Sequence, residues 1–284
     1  MPELPDLLYI QSYLDHHLVH AAIAGLEVVQ PVVLRNAAEG NPAELLAGRT
    51  IDTISVHGPF MTFSLHPPLD LVVNLMLAGR LQHQRAGERP LGHRCISLLL
   101  ADGSRLNIAD EQKMAKVYLV HPGDKGIIPK YDSQGVDILS EAFTPALFRE
   151  LASRHGRKQV RVFINDQTIL SAIGNAYADE ILFEARIHPK TFVGKLSPGQ
   201  IDSLHAAIRS VMHWAIDEVN RAAAPIEEKV RGHVRVRNRH GEPCPRCGST
   251  IRREGVRGHD VYFCPTCQPA SRKLFIDWNR RSSD

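Results

Sequence analysis

Four cysteines and one proline are the residues of this 284-residue chain whose types and places could do chemistry. Cys244-Pro-Arg-Cys247 is followed, after sixteen residues, by Cys264-Pro-Thr-Cys267. Two CxxC knuckles at that separation are the spacing of a tetrahedral four-thiolate zinc site, because each tight turn offers two sulfurs and a short hairpin brings the pairs together. The hairpin expected between them rises through Ser249-Thr250-Ile251, turns over Arg253 to His259 and returns through Val261-Tyr262-Phe263. Four thiolates close the metal's coordination shell, so such a zinc holds a fold and does no chemistry. The alternative for four such cysteines is two disulfides in a secreted domain. No signal-peptide pattern stands at the start, and Cys95 is the one other cysteine, so the expected setting is intracellular and reducing. At the other end, Met1-Pro2-Glu3 becomes reactive if Met1 is removed. Pro2 is then a secondary amine with an unperturbed pKa of about 8, a nucleophile toward carbonyl-like carbons, and Glu3 is a carboxyl placed to move a proton. Met-Pro is also an ordinary way for a protein to begin.

The surroundings of these residues differ in charge. From Lys229 to Asp284 there are 13 Lys/Arg against 5 Asp/Glu, a surplus of 8, which leaves the rest at −5 within a total of +3. A zinc-stapled basic module on an acidic body points to a polyanion such as nucleic acid, with a solvated structural knuckle as the plainer reading. Hydrophobic content of 43% and charged content of 23% suit a soluble chain with buried cores, and no apolar run approaches the roughly 18 residues of a membrane span.

The elements that must position these residues follow from periodicity. Leu7, Ile10, Leu14 and Leu18 form a helical stripe behind prolines and acids suited to a first turn. Leu26–Val28, Ile51–Val56, Phe60–Leu65, Leu71–Val73, Ile96–Leu100 and Val117–Val120 read as strands, Ala101-Asp102-Gly103 as a hairpin, and Cys95 as a buried strand residue. Six strands without long helices predict a β-sandwich or barrel. Pro122 to Pro129 reads as a linker. Beyond it, Thr144-Pro145, the apolar residues Val160, Phe163 and Ile164, an N-cap at Asn175, and Ser197-Pro198 predict a small helical bundle.

Met1-Pro2-Glu3-Leu4-Pro5, Ile173-Gly-Asn-Ala-Tyr-Ala-Asp-Glu180, and Gly241-Glu-Pro-Cys244 through Cys267-Gln268, taken together and in this order, resemble the formamidopyrimidine-DNA glycosylase / endonuclease VIII family. The likeness implies an α+β multidomain fold. A β-sandwich with an N-terminal helix is expected over 1–122, a helix–two-turn–helix domain over 130–222 and a zinc-finger β-hairpin over 238–270. It implies one structural zinc and, as partner, double-stranded DNA carrying damaged bases or abasic sites. It further implies a monomer with no membrane attachment, located in the cytoplasm at the nucleoid. By the same likeness Pro2 attacks C1′ of the lesion nucleotide, Glu3 is its acid/base partner, and β,δ-elimination follows. Asn175 matches a phosphate contact, Arg161 takes the place of a backbone-contacting lysine with Lys158 one turn earlier, and Leu77 takes the place of a residue that fills the gap left by a flipped base. Lys113 and Met114 stand where the family has an arginine and a phenylalanine.

Two departures stand out. In Gly58-Pro59-Phe60 a proline replaces the family's hairpin lysine and has no amine to offer, with His57 and Lys116 as cations that could compensate. His259 replaces a finger arginine, with Arg257 close enough to substitute. These losses also admit a non-catalytic paralogue that binds damaged DNA, and a zinc-containing RNA-binding protein is a third class.

Overall fold

The structure, a computed structural model, describes residues 2–256 and 258–270. Two compact units emerge: residues 1–135 with 214–232, and residues 136–213 with those from 233 onward.

The first unit opens with α1 (Leu4–Leu18), whose buried stripe is Leu7, Ile10, Leu14 and Leu18. There follow β1 (Ile23–Val28), β2 (Leu34–Asn36), the short α2 (Pro42–Leu46), β3 (Thr50–His57), β4 (Phe60–His66), β5 (Leu69–Asn74), β6 (Arg80–Gln84), β7 (Arg94–Leu100), β8 (Arg105–Ala109) and β9 (Lys116–Val120). They form a four-stranded sheet, β1-β7-β8-β6, and a five-stranded sheet, β2-β9-β5-β4-β3, antiparallel except for β2 against β9. One apolar core is shared by both sheets and by α1, with Met61, Phe63 and Leu71 from one sheet against Ile96, Leu98 and Ile108 from the other. The fold is therefore a sandwich with a helix packed on its core. Strand β5 is apolar on both faces for a visible reason. Leu69, Leu71 and Val73 enter that core, while Val72 joins Phe60, Val120 and Ile128 in a second cluster on the outer face. Cys95 is fully buried on β7.

Three strands escape the sequence reading. Of these, β6 runs Arg-Leu-Gln-His-Gln, and its buried Gln82 is admitted because its amide is satisfied: Oε1 accepts from the Leu91 backbone N–H at 2.9 Å and from Asn107 at 3.1 Å.

The second unit contains α3 (Pro145–Arg154), α4 (Val160–Ile164), α5 (Asn175–Glu184), most of α6 (Pro198–Ala222) and the hairpin of β10 (Arg252–Val256) and β11 (His259–Phe263). Thr144 caps α3 through its hydroxyl, which accepts the Leu147 N–H at 3.2 Å. Helix α5 is buried from Ala176 through Phe183, so two of its three acids, Asp179 and Glu180, lie in the interior. Its N-cap is Gly174, one residue before the expected Asn175. The reason is that the Asn175 side-chain oxygen is taken by Arg161, at 2.9 Å, and does not cap its own helix. The ascending strand of the finger likewise starts later than Ser249. Residues 249–251 still close the first knuckle, with Cys244 N–H donating to the Ser249 carbonyl at 2.8 Å and Ile251 N–H to Glu242 at 2.9 Å. Arg253 to Val256, expected in the turn, are strand.

Candidate active site and nucleic-acid contacts

Pro2 and Glu3 are both buried, Glu3 to 6% exposure, and Glu3 is the N-cap of α1. A carboxylate one turn on locks them in place. Asp6 accepts the Glu3 backbone N–H at 2.8 Å and is gripped through both oxygens by the Arg231 guanidinium, at 2.8 and 2.6 Å. The planar guanidinium fork matches the two carboxylate oxygens, which fixes orientation as well as distance. A narrow cavity is lined by Pro2, Asp6, Ile10, Leu75, Gly79, Arg80 and the segment from Ile226 to Lys229. Lys229 keeps an open face to solvent, yet desolvation by the protein around it pulls its ammonium below the usual lysine value, with Asp6 opposing and Arg231 and Arg80 reinforcing.

Two loops border a wider hollow lined by Leu77, Arg80, His93, Asp110, Glu111 and Lys229. In the first, Met76 N–H donates to the Asn74 side chain at 2.9 Å and Gly79 N–H to the Leu75 carbonyl at 2.9 Å, and Leu77 stands 57% exposed between them. A Cβ on Gly79 would lie 2.4 Å from the Leu75 carbonyl oxygen, so only glycine closes this loop. In the second, the buried Asp110 carboxylate accepts the backbone N–H groups of Gln112, Met114 and Ala115 at 2.9, 2.8 and 2.7 Å. Lys113 is exposed and Met114 half-buried. At the β3–β4 turn Pro59 follows Gly58. The neighbouring His57 ring lies against Tyr131, centroids 4.8 Å apart, with Nε2 3.0 Å from the Tyr131 carbonyl.

In the second unit Arg161 is 3% exposed, which a surface phosphate ligand would not be. Its Nε donates to Asp179 at 2.9 Å and its NH2 group to the Asn175 side-chain oxygen, also at 2.9 Å. That contact orients the Asn175 amide, half-buried at the first residue of α5, where the helix dipole favours an anion. Arg161, Asn165, Asp166, Val256 and His259 line one groove. Lys158 is engaged at 2.5 Å by Asp166. Against the upward push of desolvation, hydrogen bonds from Lys158 and Thr168 hold the Asp166 carboxyl below its ordinary value. His259 is exposed at the start of β11. Arg257 lies outside the described residues.

Asp179 and Glu180 tie α5 to the chain leading into the finger. Asp179 takes Arg161 on one oxygen and Arg237 on the other, at 2.8 Å, while Arg237 lies over the Tyr262 ring at 5.0 Å. Glu180 accepts three successive backbone N–H groups, from Arg235, Val236 and Arg237, at 2.9, 2.9 and 3.0 Å. Burial pushes both carboxyls upward, and these bonds oppose it.

The four cysteine sulfurs lie within 4.8 Å of one another, Cys244 to Cys267 at 3.9 Å and Cys247 to Cys264 at 3.4 Å. A tetrahedron with Zn–S bonds of about 2.3 Å has edges of about 3.8 Å, so the donor set fits one structural zinc. Gln268 braces the second knuckle, accepting Cys264 N–H and donating to the Ile187 carbonyl, each at 3.0 Å. Arg246 stacks on Phe183 at 4.3 Å and pairs with Glu184 at 3.0 Å.

Three family models match the chain: the formamidopyrimidine-DNA glycosylase N-terminal domain over residues 1–117, its H2TH domain over 134–224, and the zinc finger found in FPG and IleRS over 241–270. The formamidopyrimidine-DNA glycosylase of Pelotomaculum thermopropionicum is 32% identical across 94% of this chain and 99% of its own length. That of Symbiobacterium thermophilum is 34% identical across 99% and 93%. The chain belongs to the formamidopyrimidine-DNA glycosylase family. Among solved structures, Lactococcus lactis Fpg in complex with abasic-site DNA matches with a TM-score of 0.86, 25% identity and coverage of 95% of this chain and all of that one. A variant of the same protein with Fapy-dG DNA matches at 0.86 and 26%, over the same shares of the two chains.

Within this glycosylase-family frame, the residues missed from sequence are those that act on other residues. Asp6 reads only as a first-turn acid, Arg231 and Arg237 as members of a basic run, and Asp179 and Glu180 as part of a motif whose visible member is Asn175. Lys229 reads only as the first cation of the basic stretch, and Asp110 only as the start of the run that carries Lys113 and Met114, because what they contact lies far away or in the backbone.

Proposed function

We propose that the protein is a bifunctional DNA glycosylase and AP lyase of base excision repair, acting on damaged bases or abasic sites in double-stranded DNA. The observation that carries this reading is the buried, doubly braced Pro2-Glu3 terminus. A chain that only bound DNA would have no use for fixing an imino nitrogen at a cavity wall with a buried carboxyl next to it in the chain.

Once Met1 is removed, the neutral Pro2 nitrogen attacks C1′ and the bond from C1′ to the base breaks, the base leaving with a proton. Because the amine is secondary, the sugar-opened product is an iminium that is cationic without further protonation, an electron sink for the two eliminations. Loss of a C2′ proton expels the 3′ phosphate, and a second elimination expels the 5′ phosphate. The Glu3 carboxyl is the group that carries protons to and from the sugar. Asn175 grips a backbone phosphate, with Arg161 as its positioning residue, while Lys158 adds a cation and His259 a hydrogen-bonding ring along the backbone. Leu77, with Lys113 and Met114, holds the duplex open around an extruded nucleotide. Zinc supplies no chemistry; bound by Cys244, Cys247, Cys264 and Cys267, it fixes the hairpin that carries His259. The protein works as a monomer in the cytoplasm, at the nucleoid.

The test is borohydride reduction on abasic-site duplex: wild type gives a covalent adduct and Pro2→Gly loses most of it. An intact mass retaining Met1 would contradict the assignment of Pro2, since its nitrogen would then be an amide.

A further inference from the structure

We propose that Lys229 holds the Pro2 nitrogen in its neutral, nucleophilic form. The inference rests on Pro2 being the nucleophile. The β3–β4 hairpin offers Pro59, and the adjacent His57 ring is committed to Tyr131. The segment after α6 supplies a cation instead. Ile226 is buried in the sandwich core, and Arg231 is clamped to Asp6 at 2.8 and 2.6 Å. Three residues beyond the first anchor and two before the second, Lys229 enters the wall of the Pro2 cavity and donates to the Leu77 carbonyl at 3.3 Å. With both ends of so short a segment fixed, the Lys229 backbone is kept beside the cavity.

The charges around that cavity decide the sign. The wall holds Asp6 from α1, Arg80 from β6, and Glu227, Glu228 and Lys229 from the segment itself; Glu3 is next to Pro2 in the chain, and Arg231 is clamped to Asp6. Asp6 is paired with Arg231, and Glu228 is as exposed as Lys229. Lys229 and Arg80 then stand as the cations next to the proline, and a cation nearby disfavours protonation of an amine. Arg80 and Lys229 are both exposed, and Lys229 is the one held at the wall, by its bond to the Leu77 carbonyl and by anchors three residues before it and two after it. Partial desolvation strengthens the effect by lowering the local dielectric.

The decisive experiment is the rate of borohydride-trapped adduct on abasic-site duplex, measured from pH 5.5 to 9 for wild type, Lys229→Met and Lys229→Arg. Lys229→Met moves the acid limb up by about one pH unit, so that trapping at pH 6.5 falls about tenfold and the deficit shrinks as pH rises. Lys229→Arg, which keeps the charge, stays near wild type. A limb that stays in place in Lys229→Met, whatever the absolute rate, overturns the assignment, and so does an equal shift in Lys229→Arg. Absence of adduct in the wild type is a separate result, which strikes the nucleophile itself and not Lys229.

Discussion

The zinc knuckle and the Pro2-Glu3 terminus are built on opposite plans. The knuckle gathers its four ligands from 24 consecutive residues, and its geometry comes from two tight turns and one hairpin. The terminus has Pro2 and Glu3 adjacent in sequence, but it is held by Arg231, which lies 225 residues from Asp6 along the chain. The difference teaches where failure falls. A local site organised by a metal is lost as a unit when one ligand goes, because coordination is the folding energy. A site braced by distant side chains loses orientation in steps and keeps its fold.

Four perturbations sharpen that contrast, from the largest effect to the smallest. Cys264→Ser, or chelation, should remove the zinc and unfold the finger, since structural zinc is worth about 10–16 kcal/mol in comparable peptides. Metal stoichiometry by mass spectrometry should fall from one to near zero, and affinity for a duplex containing a stable abasic analogue should fall with it. Asp179→Ala leaves two arginines, one of them buried, without their shared carboxylate. A loss of about 3–5 kcal/mol in denaturant unfolding is expected, together with weaker DNA binding as Asn175 loses its Arg161 support. Arg231→Met strips Asp6 of its fork, but that pair keeps some contact with water. The cost should be about 1–3 kcal/mol, with the trapped-adduct rate falling by more than the stability change explains. Leu77→Ser changes an exposed side chain, so unfolding should shift by less than about 0.5 kcal/mol. Affinity for lesion duplex should nonetheless drop, and equal affinity in the two proteins would remove Leu77 from the interface.

What could be read from the sequence follows the same division. The α1 stripe, the sandwich's apolar strands and the cysteine ligands announce themselves because hydrophobic period and knuckle spacing are local. The strand β6 does not, because Gln82 is buried by virtue of hydrogen bonds to Leu91 and Asn107 that no window of sequence shows. Arg161 shows the limit most plainly. As a sequence it is a cation on a short helix, and as a structure it is an interior group spent on Asp179 and Asn175. Its charge is readable in advance, whereas its burial depends on α5 being enclosed on every side. Lys229 likewise shows its charge in advance but not its neighbours, which come from α1, the loop after β5, β6 and the segment after α6.

The central claim is that the imino nitrogen of Pro2 does the chemistry. Mass spectrometry of the borohydride-reduced product from abasic-site DNA, after proteolysis, tests it most directly. The account predicts the sugar fragment on the N-terminal peptide at Pro2. A fragment carried by a lysine peptide, Lys229 included, would contradict it.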